Sequence, residues 1–341
     1  MDNKPTQIDK LDPFAAVIYP IILADRLEVI LSLPQQPLRH YATSLPQEKL
    51  ESIIEELRQK VVIRSRNNFL PLSQQIYDWL IRPIESDLTK SGIETLIFVL
   101  DGDLRNIPMA VLHDGNQNYL IEKYNIALTP SLELLPPKKL EKQKFKILGA
   151  GLTESRDGFS PLEYVEEEMK QIKSEMPSKI LLDRKFISQN LQTYLQSDLF
   201  PIVHIATHGQ FSSKAEETFL LAWDDRININ SLGNLLETSE TGQGVELLVL
   251  SACETAVGDK AATLGLAGMA VKTGASSTLA TLWSVNDEGT ANFIHEFYKH
   301  LRNANATKAE ALRQAQIALL KNPQYKHPIY WAPYILVGNW L

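Results

Sequence analysis

From residue 144 onward the chain alternates between short apolar runs and longer amphipathic ones. The apolar runs are "FKILGAG" (145–151), "KILL" (179–182), "PIVHIAT" (201–207), "ELLVLSA" (246–252), "STLATLW" (277–283) and "PYILVG" (333–338). They are nearly continuous in aliphatic residues, the pattern of strands buried on both faces. Between them, 162–175, 188–196, 260–273, 287–302 and 307–320 read as helices. The last opens on Thr307-Lys308-Ala309-Glu310, which has the form of a capping box. Strands alternating with helices predict an α/β fold: a mostly parallel sheet with helices on both faces. In such sheets ligands sit beyond the carboxyl ends of the strands. The residues where each apolar run stops are therefore where chemistry is expected.

The amino-terminal part reads differently. Residues 14–43 look like short strands, with Leu27, Val29, Leu31 and Leu33 alternating against Glu28, Ile30 and Ser32 after a turn at Asp25-Arg26. Residues 48–62 carry a helical stripe of Leu50, Ile53, Ile54, Leu57 and Val61. Residues 72–88 carry another, of Leu72, Ile76, Leu80, Ile84 and Leu88. An apolar strand follows in "TLIFVLDGDLRNIP" (95–108) and ends in a polar turn at Asp101-Gly102-Asp103. "PPKKLEKQK" (136–144) has the composition of a linker. No repeat of fixed period is present, so the chain is not itself a solenoid.

Composition narrows the class. The 341 residues are 44% hydrophobic and 22% charged, ordinary for a globular protein, and the net charge is −7. That sign argues against nucleic acid and against an anionic membrane surface, both of which need a basic face. The apolar run Phe14–Leu23 is broken by Pro20 and is too short to cross a bilayer. The first twelve residues carry Asp2, Asp9 and Asp12 rather than the basic start of a signal peptide. Cys253 is the only cysteine, so no intrachain disulfide forms and a reducing, cytoplasmic setting is expected.

Two apolar runs stop at reactive groups. "PIVHIATHGQF" leads to His208 and Gly209, and "LVLSACETAVGD" leads to Cys253. If the two strands are parallel neighbours, His208 and Cys253 lie side by side on one edge. A lone cysteine is ordinarily a small buried hydrophobe, and a lone strand histidine is ordinarily structural. The conjunction points instead to thiol catalysis. A thiol of pKa ~8.5 is only slightly ionised at neutral pH, and an adjacent imidazole takes its proton and later protonates the leaving amine. The N–H groups of Gly209 and Cys253 are candidates for an oxyanion hole. His204 precedes His208 by four residues, but on a strand and without a third ligand it reads as a core histidine, and no metal site is expected. Gly149-Ala150-Gly151 after a strand suggests a dinucleotide loop, yet the third position of that fingerprint is Glu154, of the wrong charge for a pyrophosphate.

"VHIATHGQF" followed by "LLVLSACETAVGD" resembles the CHAT peptidases, caspase-like cysteine proteases of the clan that holds separases, caspases and metacaspases. "LDGDLRNIPMAVLHDGNQNYLIEKYNIALTPSL" (100–132), "GLAGMAVKTGASSTLATLWSVND" (265–287) and "YWAPYILVGNW" (330–340) are similar to the same family. The resemblance covers roughly 70–341. It implies a caspase-like mostly parallel sheet, with residues 1–69 as a small N-terminal α/β accessory lobe and 70–341 as the peptidase domain. It implies Cys253 as nucleophile, His208 as its base, no cofactor, and a peptide bound as an added strand. Activation by a partner or ligand is expected as well, since an unrestrained protease would be harmful; either a separate regulatory protein supplies it or the chain is a fragment of something longer. The strand-end rule adds Asp101, Asp103, Glu254, Trp283 and Ser284 as candidates for lining the groove, with Trp283 more readily read as a core anchor and Asp101 and Asp103 as turn residues. Two alternatives remain: a non-catalytic signalling module of the same fold, and a cysteine hydrolase of small amides or thioesters.

Overall fold

The computed structural model describes residues 12–130, 145–211, 217–237, 244–251, 254–255, 274–283, 285 and 287–341. In chain order its strands are β1 (Ala15–Ile22), β2 (Arg26–Ser32), β3 (Arg39–Ser44), β4 (Thr95–Phe98), β5 (Asn125–Leu128), β6 (Ile147–Gly151), β7 (Ser178–Leu182) and β8 (Ile202–Ala206). They continue with β9 (Gly209–Phe211), β10 (Phe219–Leu221), β11 (Arg226–Asn228), β12 (Leu247–Ser251), β13 (Glu254–Thr255), β14 (Ser277–Thr281) and β15 (Tyr334–Gly338). The longer helices are α1 (Gln47–Val61), α2 (Leu70–Leu80), α3 (Glu85–Lys90), α4 (Val165–Glu175), α5 (Ser188–Ser197), α6 (Ile229–Glu237), α7 (Asp287–Leu301) and α8 (Lys308–Lys321).

Among the described residues eleven strands form one sheet, in the order β3-β2-β1-β4-β5-β15-β14-β12-β8-β6-β7. β7, β6, β8, β12 and β14 are mutually parallel. β15 pairs antiparallel with β14 and so reverses the direction of the sheet. β5 and β4 follow the reversed direction, and β1 pairs parallel with β4 from Ala15↔Thr95 to Ile18↔Phe98. Residues 15–44 therefore extend the same sheet as the strands after residue 70.

The central strands are buried at every position, as their unbroken aliphatic runs require. Residues of β8 alternate between two sides. Ile202 and Ala206 join the apolar cluster of α4, α7 and α8, while Val203 and Ile205 join that of α5 and α6. The Thr307 hydroxyl accepts the Glu310 N–H at 3.0 Å and starts α8 where the capping pattern puts it. The helix expected over 72–88 is two helices, α2 and α3. Pro83 lies between them; it has no N–H to donate and disfavours helical geometry in the residue before it. The helix expected at 260–273 and the linker at 136–144 lie outside the described residues. Among the described residues no helix is long and apolar enough to cross a membrane.

Gly149 and Gly151 serve packing between strand and helix. A Cβ on Gly151 would stand 2.7 Å from Val165 Cγ1 of α4 and 2.9 Å from the Ala206 carbonyl oxygen of β8. Gly151→Ala should therefore lower stability by about 1–3 kcal/mol. Gly149→Ala should cost less, because its close neighbours are the flexible ends of Ile180 and Met169. Urea midpoints check the order, and a Gly151→Ala midpoint equal to wild type would refute it.

In the "HDGN" turn, Asp114 is buried and accepts from the N–H of Asn116 (2.7 Å), the N–H of Asn118 (3.1 Å) and the Lys123 ammonium (2.7 Å). Burial pushes its carboxyl up, but the Lys123 and Asn118 contacts outweigh this and hold it well below the usual carboxylate range. A lowered native pKa contributes stability above the unfolded value near ~4 and loses it as pH falls toward the native value. Asp114→Asn should cost ~2–3 kcal/mol at pH 7, and the gap should close below about pH 4. A difference that stays constant in denaturation curves from pH 7 to 3 would contradict this.

Candidate functional site

Four strand ends meet on one edge of the sheet, because β6, β8, β12 and β14 all point the same way. β8 and β12 are direct neighbours in register from Leu247↔Ile202 to Ser251↔Ala206. Past the ends of these strands the two chains pair again in the small sheet, parallel, with Glu254↔Gln210 and Thr255↔Phe211. His208 thus falls between two pairing positions of its chain, Ala206 and Gln210. Cys253 falls in sequence between the matching positions, Ser251 and Glu254, and itself lies outside the described residues.

The backbone around His208 is pinned. The Thr207 hydroxyl donates to the Leu221 carbonyl at 2.7 Å, and the Leu221 N–H donates to the His208 carbonyl at 2.8 Å. The ring is oriented by the loop after β6. There Arg156 and Phe159 exchange backbone hydrogen bonds around Asp157 (φ 53°) and Gly158 (φ 87°). Two left-handed central residues make a tight hairpin turn, for which Asp-Gly is a favoured pair. The turn brings Phe159 into a stack on the imidazole, with centroids 4.9 Å apart and planes at 27°. It also brings the Ser160 carbonyl to 2.7 Å from His208 Nε2. A carbonyl oxygen only accepts, so Nε2 carries a proton, and in the neutral imidazole Nδ1 is then the nitrogen with the lone pair.

The loop is held from three other sides. The Asp183 carboxylate accepts from the Thr153 N–H (2.7 Å), the Thr153 hydroxyl (2.8 Å) and the Glu154 N–H (3.2 Å). Arg226 bonds Asp157 at 2.9 Å and lies over the Phe219 ring, which meets Phe159 edge to face.

Under this edge lies a buried polar cluster. Glu168 Oε1 on α4 accepts from the Ser251 hydroxyl at 2.7 Å and from His204 Nε2 at 2.8 Å. His204 Nδ1 is 2.9 Å from the Tyr298 hydroxyl of α7. Burial, and then the Glu168 charge, push the Tyr298 hydroxyl well above its usual range, so it stays protonated. His204 is thus the core histidine its place on a strand suggests. Among the described residues no group of three or more His, Cys, Asp or Glu gathers as a metal site.

The groove candidates separate. Trp283 follows β14 on the same edge as His208. Its indole N–H donates to the Ile329 carbonyl at 3.0 Å and its ring packs on the core, so it is an anchor. Gly209 opens β9 opposite Leu220, and Glu254 opens β13. Ser284 lies outside the described residues. The expectation that Asp101 and Asp103 line the same groove does not hold. They follow β4, which runs against β8 and β12, and so sit on the opposite edge. There Asp101 accepts from the Gly102 N–H at 2.8 Å as a turn residue, and rims an open cavity of about 440 Å³ with Tyr19, Ile30, Leu38 and Arg105.

Sequence reasoning missed Phe159, Ser160, Thr207, Glu168 and Ser251. The Asp157-Gly158 dipeptide was the available signal for the first two. For Glu168, one of three consecutive glutamates, the helical spacing with Val165, Met169 and Ile172 was the only clue.

Comparison with known proteins bears on the family and the fold. The profile of the CHAT domain matches residues 70–339. Tetratricopeptide repeat protein 28 is 25% identical in Mus musculus and 24% in Homo sapiens, each match covering 79% of this chain and 13% of the relative's length. Among solved structures, the Saccharomyces cerevisiae separase–securin complex aligns with a TM-score of 0.57 at 12% identity, over 98% of this chain and 30% of that one. The Arg-specific cysteine proteinase gingipain R aligns with a TM-score of 0.51 at 9% identity, over 86% and 74%. These likenesses establish a caspase-like fold, and with the match over most of its length the chain belongs to the CHAT domain family.

Proposed function

We propose that the protein is a cysteine endopeptidase with Cys253 as nucleophile and His208 as its proton carrier. The observation that carries this reading is the double pairing of the two chains, Ser251↔Ala206 before the candidate residues and Glu254↔Gln210 after them. The orientation of His208 supports it as well. With Nε2 engaged by the Ser160 carbonyl, Nδ1 is the atom that accepts the thiol proton. The Cys253 sulfur then attacks the peptide carbonyl, the Nδ1 proton passes to the leaving amine, and water hydrolyses the thioester. The N–H groups of Gly209 and Cys253 are the candidates for stabilising the oxyanion. The substrate is an extended segment of protein, bound by main-chain pairing. A separate regulatory protein governs access, as the separase relative, solved in complex with securin, suggests.

The test is cleavage of a diverse peptide mixture, with new termini read by mass spectrometry, alone and with cell lysate as a source of activator. Wild type should cut, and Cys253→Ala and His208→Ala should lose roughly 10³-fold or more of the rate. Cutting that survives both substitutions, or none by wild type under either condition, would leave the interaction-module reading. Phe159→Ala should leave the fold intact, with a loss of about 0.5–1.5 kcal/mol from the ring stack. It should also release the His208 Nε2–H···O=C bond. Proton NMR checks this: a slowly exchanging imidazole N–H in wild type should be lost in the variant.

A further inference from the structure

We infer that the buried Glu168–His204–Ser251 cluster positions the dyad, with Glu168 and Ser251 holding together the strand ends that lead to His208 and Cys253. The inference rests on the reading of those two residues given above. None of the three side chains faces a substrate. Their effect is exerted through the strands on which they stand.

Placement is the first argument. His204 lies on β8, four residues before His208, and Ser251 is the last residue of β12, two before Cys253. One oxygen of one carboxylate accepts a hydrogen bond from each, at 2.8 and 2.7 Å, with His204 and Ser251 essentially without exposure. The link therefore spans the two strands that must stay adjacent.

The backbone supplies the second argument. Where β8 and β12 end, the Thr207 N–H reaches the Ser251 carbonyl at 3.4 Å, beyond the usual range for a strong amide bond. The side-chain link sits at the step where the ladder weakens.

Energetics supply the third. A buried carboxylate with its partners is seldom worth more than well-packed aliphatic residues of the same volume. Stability alone gives no reason for Glu168 among Val165, Met169 and Ile172 on the buried side of α4. Its directional bonds fix a separation that aliphatic packing would leave looser. The chain is also continuous between the two sets of contacts. Ser160, whose carbonyl orients His208, is eight residues before Glu168 on one unbroken stretch, so the same segment holds the imidazole and the strands.

Cys253 is the only cysteine, so the pH profile of alkylation by iodoacetamide reads that thiol alone and needs no substrate. Wild type should show an inflection below that of a free thiol, and His208→Ala should return it to the free value. Ser251→Ala and Glu168→Gln should each move it upward by about one pKa unit, a tenfold change in thiolate at low pH. Ser251→Thr, which keeps the hydroxyl, should rescue the profile. Ser73→Ala removes an equally buried hydroxyl, bonded to the Val111 carbonyl at 2.6 Å far from this edge, and should shift stability without shifting the profile. If Ser251→Ala and Glu168→Gln are folded by circular dichroism and superimpose on wild type while His208→Ala departs, the dyad stands and the positioning role falls. If wild type already alkylates as a free thiol and His208→Ala matches it, both fall. Should Glu168→Gln fail to fold, the Ser251→Ala and Ser251→Thr pair decides.

Discussion

The register between Ile202–Ala206 and Leu247–Ser251 is the constraint on which the candidate site depends. Parallel strands buried on both faces can be slid by one residue only by turning every side chain to the other face. Here such a slip is opposed by polarity as well as by shape. Moving the Leu247–Ser251 strand one step would carry Ser251 toward the apolar cluster of Leu148, Val203 and Leu250. It would also leave Glu168 short of a donor inside the core. The buried polar groups and the aliphatic runs thus select the same alignment, and that alignment makes both chains leave the sheet at one step.

The antiparallel strand Tyr334–Gly338 divides the molecule into two working edges. On one side of it, four parallel strands deliver the loop of Phe159 and Ser160, then His208, the approach to Cys253, and Trp283 to a common rim. On the other side, the strands Thr95–Phe98 and Asn125–Leu128 discharge their loops to the opposite rim. The rule that ligands lie beyond carboxyl ends holds within a block of parallel strands. It does not carry across a reversal, which is why Asp101 and Asp103 part from His208.

What was legible in the sequence follows from which signals are local. Continuous aliphatic runs mark buried strands, so the central sheet and its helices could be read. Pro83 marks the break between two amphipathic stripes, but their common phase of Leu80, Ile84 and Leu88 masks it. The direction of Tyr334–Gly338 is a tertiary outcome, and a fully buried strand looks alike whichever way it runs. The three-residue strands Gly209–Phe211, Phe219–Leu221 and Arg226–Asn228 are too short to show a period. Ser160 acts through its carbonyl, a group every residue has, so no residue type announces it. Glu168 is indistinguishable by composition from Glu166 and Glu167. Only its place in the helical turn, between Val165 and Met169, turns it inward.

These features divide the labour within the edge. The groups that orient His208 are a main-chain carbonyl, an aromatic face and a pinned backbone; those that bind the strands together are wholly buried. Each is tied to the sheet by hydrogen bonds or ring contacts, and supporting contacts of this kind set how closely a reactive pair keeps its geometry. On the proposed reading, residues that choose a substrate lie on loops beyond the strand ends, where sequence can change without disturbing the sheet. Likeness of fold at 9–12% identity, by the same argument, reports the scaffold alone.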